Sequence, residues 1–125
     1  MSKHRYLELK HFCLQYFEWE MRVNEILKFP RMDFSENVSS PEFSDMTGNA
    51  AIDISYYTSR MDAVKKVCHM SDEGIEKWLF LALTKDYTYP YLKSVLDIPC
   101  SRDYFYERYR RALWILSDIR EKILA

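Results

Sequence analysis

The sequence predicts an all-α fold, an N-terminal antiparallel helical hairpin followed by a three-helix unit, and three observations lead to it. The 125 residues contain only two glycines, whereas sheet-rich folds need many tight turns that glycine serves best. Hydrophobic residues make up 48% of the chain and charged ones 30%, enough apolar matter for a single core without staples. Apolar positions recur at spacings of three and four through most of the chain, the period of an amphipathic helix.

Residues 3–28 read as one long helix. Leu9, Tyr16 and Val23 recur every seven positions, and Phe12, Trp19 and Ile26 form the matching second row. Such a seam needs another helix over it. Pro30 is expected to end the run, because proline lacks the amide hydrogen and its ring clashes with the preceding turn. Residues 30–48, with two prolines, four serines and a glycine, read as a loop. Helical spacing returns over 50–69, where Ile54, Tyr57, Met61, Val64 and Cys68 form a second seam. The expected hairpin pairs these two helices, each covering the other's stripe, as residues 1–70.

Residues 71–125 read as three more helices packed on that hairpin. Ser71 or Asp72 caps the first, which carries Ile75, Trp78, Leu79, Ala82 and Leu83 and ends near Lys85–Asp86. Thr88 caps a short second helix with Pro90 in its first turn, where the missing N–H costs nothing. Leu92, Val95 and Leu96 are expected to face inward, and Pro99 to stop the helix. Ser101 then caps a last helix running to about Leu124. On it Phe105, Tyr109, Ala112, Leu113, Leu116 and Ile119 share one face, expected to pack on Leu79, Leu92 and Val95.

Charge is uneven. The net value is −1, yet residues 33–76 hold three basic and nine acidic side chains, while residues 101–125 hold six basic and four acidic. A mildly basic last helix permits a nucleic-acid face without demanding one. Cys13, Cys68 and Cys100 are widely spaced and odd in number, which points to a reducing compartment and buried thiols. Neither Cys68–His69 nor His11 with Cys13 has the i,i+3 or i,i+4 spacing that puts two metal ligands on one helix face, so no metal or other cofactor is expected. No Gly-rich phosphate loop and no Ser-His-Asp or Cys-His signature is present, so the chain is not expected to be an enzyme. Asp72, Glu73 and Glu76 sit at a helix start, where acids suit the dipole. No apolar run is long enough to span a bilayer, so a cytoplasmic protein with no membrane role is expected.

The informative stretch is "DIPCSRDYFYERYRRALWILSDIR", residues 97–120. A short helix turning sharply into a longer, polar-capped one has the layout of a helix-turn-helix. Ser101, Arg102, Asp103, Phe105, Arg111, Ala112 and Leu113 follow the pattern of a Ser or Thr, an Arg, a polar pair, an apolar residue and a later basic-Ala-Leu ending. In this the segment resembles the recognition helix of region 4 of bacterial primary sigma factors, and the sigma-like C-terminal domain of phage late-gene transcription activators of the RinA and ArpU type. The fuller string "YPYLKSVLDIPCSRDYFYERYRR" resembles small phage proteins of gut Firmicutes. The resemblance covers the last 40 or so residues. Two departures stand out: "DIPCS" lengthens the turn, and Arg108 stands where related helices carry an apolar residue.

The resemblance implies sequence-specific binding of double-stranded DNA near promoters inside a host bacterial cell, with host RNA polymerase as a protein partner. It makes Arg102, Asp103, Tyr106 and Glu107 base-facing positions, Ser101, Arg110 and Lys93 phosphate contacts, and Arg111 part of the same basic face. The arginine cluster also has a plain reading as a solvated helix face, with Glu107 and Arg111 spaced as an i,i+4 pair. The tyrosines at 87, 89, 91, 104, 106 and 109 could stack on bases, but rings at an amphipathic boundary with wet hydroxyls account for them as well. Two other classes stay open. One is an inhibitor or adaptor whose acidic stretch, through Glu36, Glu42, Asp45 and Asp53, offers a phosphate mimic to a host nucleic-acid enzyme such as an RNA-guided nuclease. The other is a structural piece of a phage assembly. The aromatic seam of the first helix leaves room for a homodimer.

Overall fold

The computed structural model describes residues 1–36 and 41–122, with side chains over 1–28 and 48–122. Every regular element in it is helical: α1 (Lys3–Leu14), α2 (Tyr16–Glu36), α3 (Pro41–Ser71), a 3-10 turn (Glu73–Ile75), α4 (Glu76–Lys85), α5 (Tyr89–Ser94) and α6 (Arg102–Lys122). The all-α class is therefore as the sequence predicts.

Two boundaries differ from expectation. The first helix is not continuous, for it breaks at Gln15. The Gln15 N–H bonds the Phe12 carbonyl three residues back at 3.3 Å, and its side-chain amide donates to the His11 carbonyl at 3.2 Å. This tight turn satisfies the local backbone without glycine or proline, so no sequence signal marks it. Pro30 does not end α2, which continues to Glu36. A proline removes one ladder bond and bends a helix, and the helix-favouring residues around it, Leu27, Lys28, Arg31 and Met32, carry the run past it. The expected loop at 30–48 is thus helix at 30–36 and again from Pro41, a proline at the first helical position where it is well tolerated. Residues 37–40, the rest of that loop, lie outside the described residues.

The chain divides into two compact units, one of Met1–Tyr16 with the chain from Asp62 onward, the other of Phe17–Met61. The boundaries fall at the start of α2 and within α3. In the first unit α1 packs on α4 and α6. Its Leu9, Phe12 and Cys13 belong to the same buried set as Val64, Val67 and Cys68 of α3, Leu79 and Leu83 of α4, Leu92 of α5, and Phe105, Leu113 and Leu116 of α6. This shared core covers the α1 part of the seam.

Polar ties fix α1 on α6. Arg5 donates from Nε to Ser117 Oγ at 3.1 Å and from a terminal nitrogen to the Ser117 carbonyl at 3.2 Å, which satisfies a buried serine. Arg5 also pairs with Glu8 and Glu121. Arg120 pairs with Glu8 and lies 4.5 Å over the Phe12 ring. In the other unit, Arg60 stacks on Tyr56 at 3.5 Å. Thr58 and Ser59 return their hydroxyls to the carbonyls of Ile54 and Ser55, as these residues do inside helices.

Candidate nucleic-acid interface

The approach to α6 is built from α4, α5 and the turn after it. Asp86, in the left-handed region at φ 58°, ends α4. Thr88 takes the extended cap conformation before α5 with Pro90 in the first turn, although its hydroxyl makes no cap bond. The helix α5 stops at Ser94, five residues before Pro99, and the backbone turns back through Asp97 at φ 57°. Short polar side chains tolerate that conformation better than most. Val95, expected inside, is 58% exposed, while Ile98 is fully buried and plugs the core in its place. The early stop re-registers the turn, so the inward position moves from Val95 to Ile98.

This long turn is tied down on several sides. Ile98 N–H bonds the Leu92 carbonyl at 3.1 Å. Trp78 Nε1 donates to the Leu96 carbonyl at 2.9 Å, and the Tyr89 hydroxyl donates to the Cys100 carbonyl at 2.6 Å. Lys93 Nζ reaches the Ile98 carbonyl at 3.3 Å. Lys93, expected on phosphate, is exposed but has this structural bond within the turn.

The first turns of α6 are held from behind by a carboxylate. Asp72, in the extended conformation between α3 and the 3-10 turn, accepts from the Gly74 N–H at 2.9 Å. It also accepts from the Tyr104 hydroxyl and lies 3.4 Å from Arg108 Nε. Arg108 lies in turn 4.8 Å from the Tyr104 ring centre. The neighbouring Ser71 hydroxyl donates to the Arg108 carbonyl at 2.6 Å. Arg108, the departure from the resembled pattern, is therefore half-buried and paired, which is why an arginine can stand at an otherwise apolar position.

The remaining candidates fall as follows. Ser101 Oγ accepts from the Tyr104 N–H at 3.3 Å, a helix cap. Arg102, Asp103, Glu107, Arg110 and Arg111 are exposed. Tyr106 is half-buried, its ring edge-on to Phe105 at 5.0 Å and Tyr109 at 6.2 Å, with the Arg102 guanidinium 5.8 Å from its centre. It is part of the aromatic packing and offers only its outer edge. Side-chain ties of α1 to α6 run from Tyr109, against Tyr6, to Glu121. The i,i+4 pair expected of Glu107 and Arg111 does not close to an ion pair.

Of the acidic stretch, Asp53 is exposed, whereas the side chains of Glu36, Glu42 and Asp45 lie outside those described. Among the described residues, no group of three or more His, Cys, Asp or Glu could hold a metal ion, and no helix is long and apolar enough to cross a membrane. Cys13 and Cys68 are buried thiols. Burial pushes Cys13 up from 9.0 to about 12, against a small opposing pull from Arg120. Burial likewise pushes Cys68 up, with help from Cys13 and Glu76.

Sequence reasoning missed two features: the Asp72–Tyr104–Arg108 cluster, in which Asp72 lies more than thirty residues from the other two, and a groove beside Trp114. Only the second leaves a trace in the sequence, since 103, 107, 110, 111 and 114 share one helical flank. No protein-family model, no curated protein and no solved structure matches this chain.

Proposed function

We propose that this chain is a sequence-specific DNA-binding regulator of transcription, of the phage sigma-like kind, acting near promoters by seating the first turns of α6 in a major groove. One observation carries the reading. Arg102, Asp103, Glu107 and Arg110 project from turns whose rear is clamped to Asp72 and Ser71. Readout of base edges needs this kind of preorganised side-chain array on a rigid helix. Arg102 is the best placed for a bidentate contact to guanine, with Asp103 and Glu107 able to accept from cytosine N4. Arg110 and Arg111 follow the backbone. Ser101 acts chiefly as a cap and Lys93 chiefly as a tie within the turn, so both serve as secondary phosphate contacts. The low net charge implies weak non-specific binding, so discrimination rests on base contacts.

The test is selection from random duplexes, followed by gel shift of the enriched sequence with wild type and Arg102→Ala. The expected result is a defined site at which Arg102→Ala costs about 1–3 kcal/mol and relaxes preference at one base pair. A wild-type protein that enriches no sequence, or an Arg102→Ala variant that binds as wild type does, overturns the reading.

A further inference from the structure

Between the first turn of α1 and the middle of α6 lies a groove of about 390 Å³, lined by Met1, Lys3, Tyr6, Arg110, Leu113 and Trp114. Its floor is apolar and its rim cationic. Trp114 is 53% exposed there and Met1 43%, although a tryptophan on a helix this well packed could have been covered. Trp, Tyr, Met and Arg are the residues that gather at the centres of protein interfaces.

The cations of this unit divide into those that hold the fold and those left open to a ligand. Arg5, Lys10, Arg108 and Arg120 each meet a carboxylate. Lys3 and Arg110 form no ion pair among the described residues. The two cations flanking the exposed tryptophan therefore have no counter-charge among the described residues, as is also true of Lys66, Arg102 and Arg111, and here they sit on the rim of an apolar groove. Further along the outer flank of α6, Glu107 and Asp118 are exposed on either side of Trp114. A duplex carries its phosphates at even, close spacing and could not cover Trp114 without bringing them against the Asp118 carboxylate. A peptide can place its own charges in register.

We propose that this groove docks an acidic peptide segment of a protein partner, with one large apolar side chain against Trp114 and Leu113 and carboxylates meeting Lys3 and Arg110. The volume matches one or two such side chains, at the lower end of the roughly 300–1,000 Å³ of known binding pockets. The proposal shares Arg110 with the backbone contacts assigned to α6 but does not rest on DNA recognition, because Lys3 and Trp114 have no part in that readout.

The full chain is immobilised and a displayed library of random dodecapeptides is selected on it. Fluorescein-labelled copies of the enriched peptides are then titrated by anisotropy against wild type, Trp114→Ala, Trp114→Phe and Lys3→Glu. A labelled duplex of random sequence and a labelled single strand are run in parallel. Enriched peptides should carry Asp or Glu beside Trp, Phe or Leu. They should lose about 30-fold or more on Trp114→Ala, the range of an interface hot spot, and about tenfold on Lys3→Glu, while Trp114→Phe retains most of the affinity. Because both side chains are exposed, thermal melting should be the same for all four proteins; if Trp114→Ala melts lower, the Lys3→Glu loss and its rescue by a Lys-bearing peptide decide the matter. Failure to enrich any peptide, enrichment of peptides without acidic residues, or equal binding to wild type and Lys3→Glu overturns the proposal. So does a loss on Trp114→Ala that appears only with the nucleic-acid probes.

Discussion

Replacing Asp72 by alanine should loosen the start of α6, and the size of the effect can be worked from its bonds. The carboxylate takes a charged hydrogen bond from the Tyr104 hydroxyl, of a kind worth ~1.5–3 kcal/mol. It caps the 3-10 turn through Gly74, worth ~1 kcal/mol. It also faces the half-buried Arg108 at 3.4 Å, which would lose its counter-charge. These effects overlap, and about 3 kcal/mol is the expected loss in unfolding free energy. For a chain of this size that lowers the melting temperature by about 10 °C. The assay is urea unfolding followed by circular dichroism, with Asp72→Ala, Tyr104→Phe and the double variant forming a cycle. Tyr104→Phe alone should cost ~1.5 kcal/mol but under ~0.5 kcal/mol when Asp72 is already alanine, since residues in direct contact couple. A total loss below ~1 kcal/mol, or equal costs of Tyr104→Phe in both backgrounds, would refute the claim that this cluster anchors α6.

The cysteines should separate by reactivity: toward a disulfide reagent at pH 8, Cys100, the one not fully buried, reacts first, and Cys13 and Cys68 react only as the protein unfolds. The same burial makes the fold sensitive to alkali. With the Cys13 thiol at about 12 when folded against 9.0, the unfolded chain loses its proton first. Its contribution is full below pH 9 and is lost between pH 9 and 12 at ~1.4 kcal/mol per pH unit for each such thiol. Burial raises the Tyr109 hydroxyl in the same direction, so denaturant midpoints measured from pH 7 to 11 should stay level to about 9 and then fall, and a flat profile to 11 contradicts this. Asp97→Gly, which relieves a left-handed backbone at φ 57°, should raise stability by ~0.5–1 kcal/mol in the same unfolding assay, and a loss would show that the Asp97 side chain has an unseen role.

How much of this was legible beforehand depends on the range of the determining interaction. The cap at Ser101, the end of α4 at Asp86 and the inward face of α6 are set by neighbours within four residues, and they read directly from the sequence. The break at Gln15 is equally local, but it is made by a glutamine side chain reaching His11, a role that composition does not mark. Pro30 carries a real local penalty that the longer helix outweighs. The partners of α1 were not legible. An a/d-like seam specifies that a helix must be covered and says nothing about which helix covers it, and here α4 and α6 join the end of α3 in doing so. The exchange of Val95 for Ile98 in the core has the same origin, because α5 ends where its turn is tied to Trp78 and Tyr89, both distant from the turn's own residues.

The arginines of α6 show what such long-range ties mean for the site. Residues 102–111 hold four arginines and two carboxylates, and in one dimension Arg102, Arg110 and Arg111 are the candidates for DNA while Arg108 stands out only as a departure from the resembled pattern. In three dimensions Arg108 turns inward to Asp72 and stops being available, while Arg102, Arg110 and Arg111 remain outside. A guanidinium already desolvated and paired would have to give up that pairing to reach a phosphate, whereas an exposed one gives up only water. Any polyanion or acidic partner approaching α6 therefore meets three arginines, not four. They are spread over a surface that Asp103 and Glu107 interrupt. An interrupted cationic surface of this kind favours partners whose own charges fall in register over those that are merely negative.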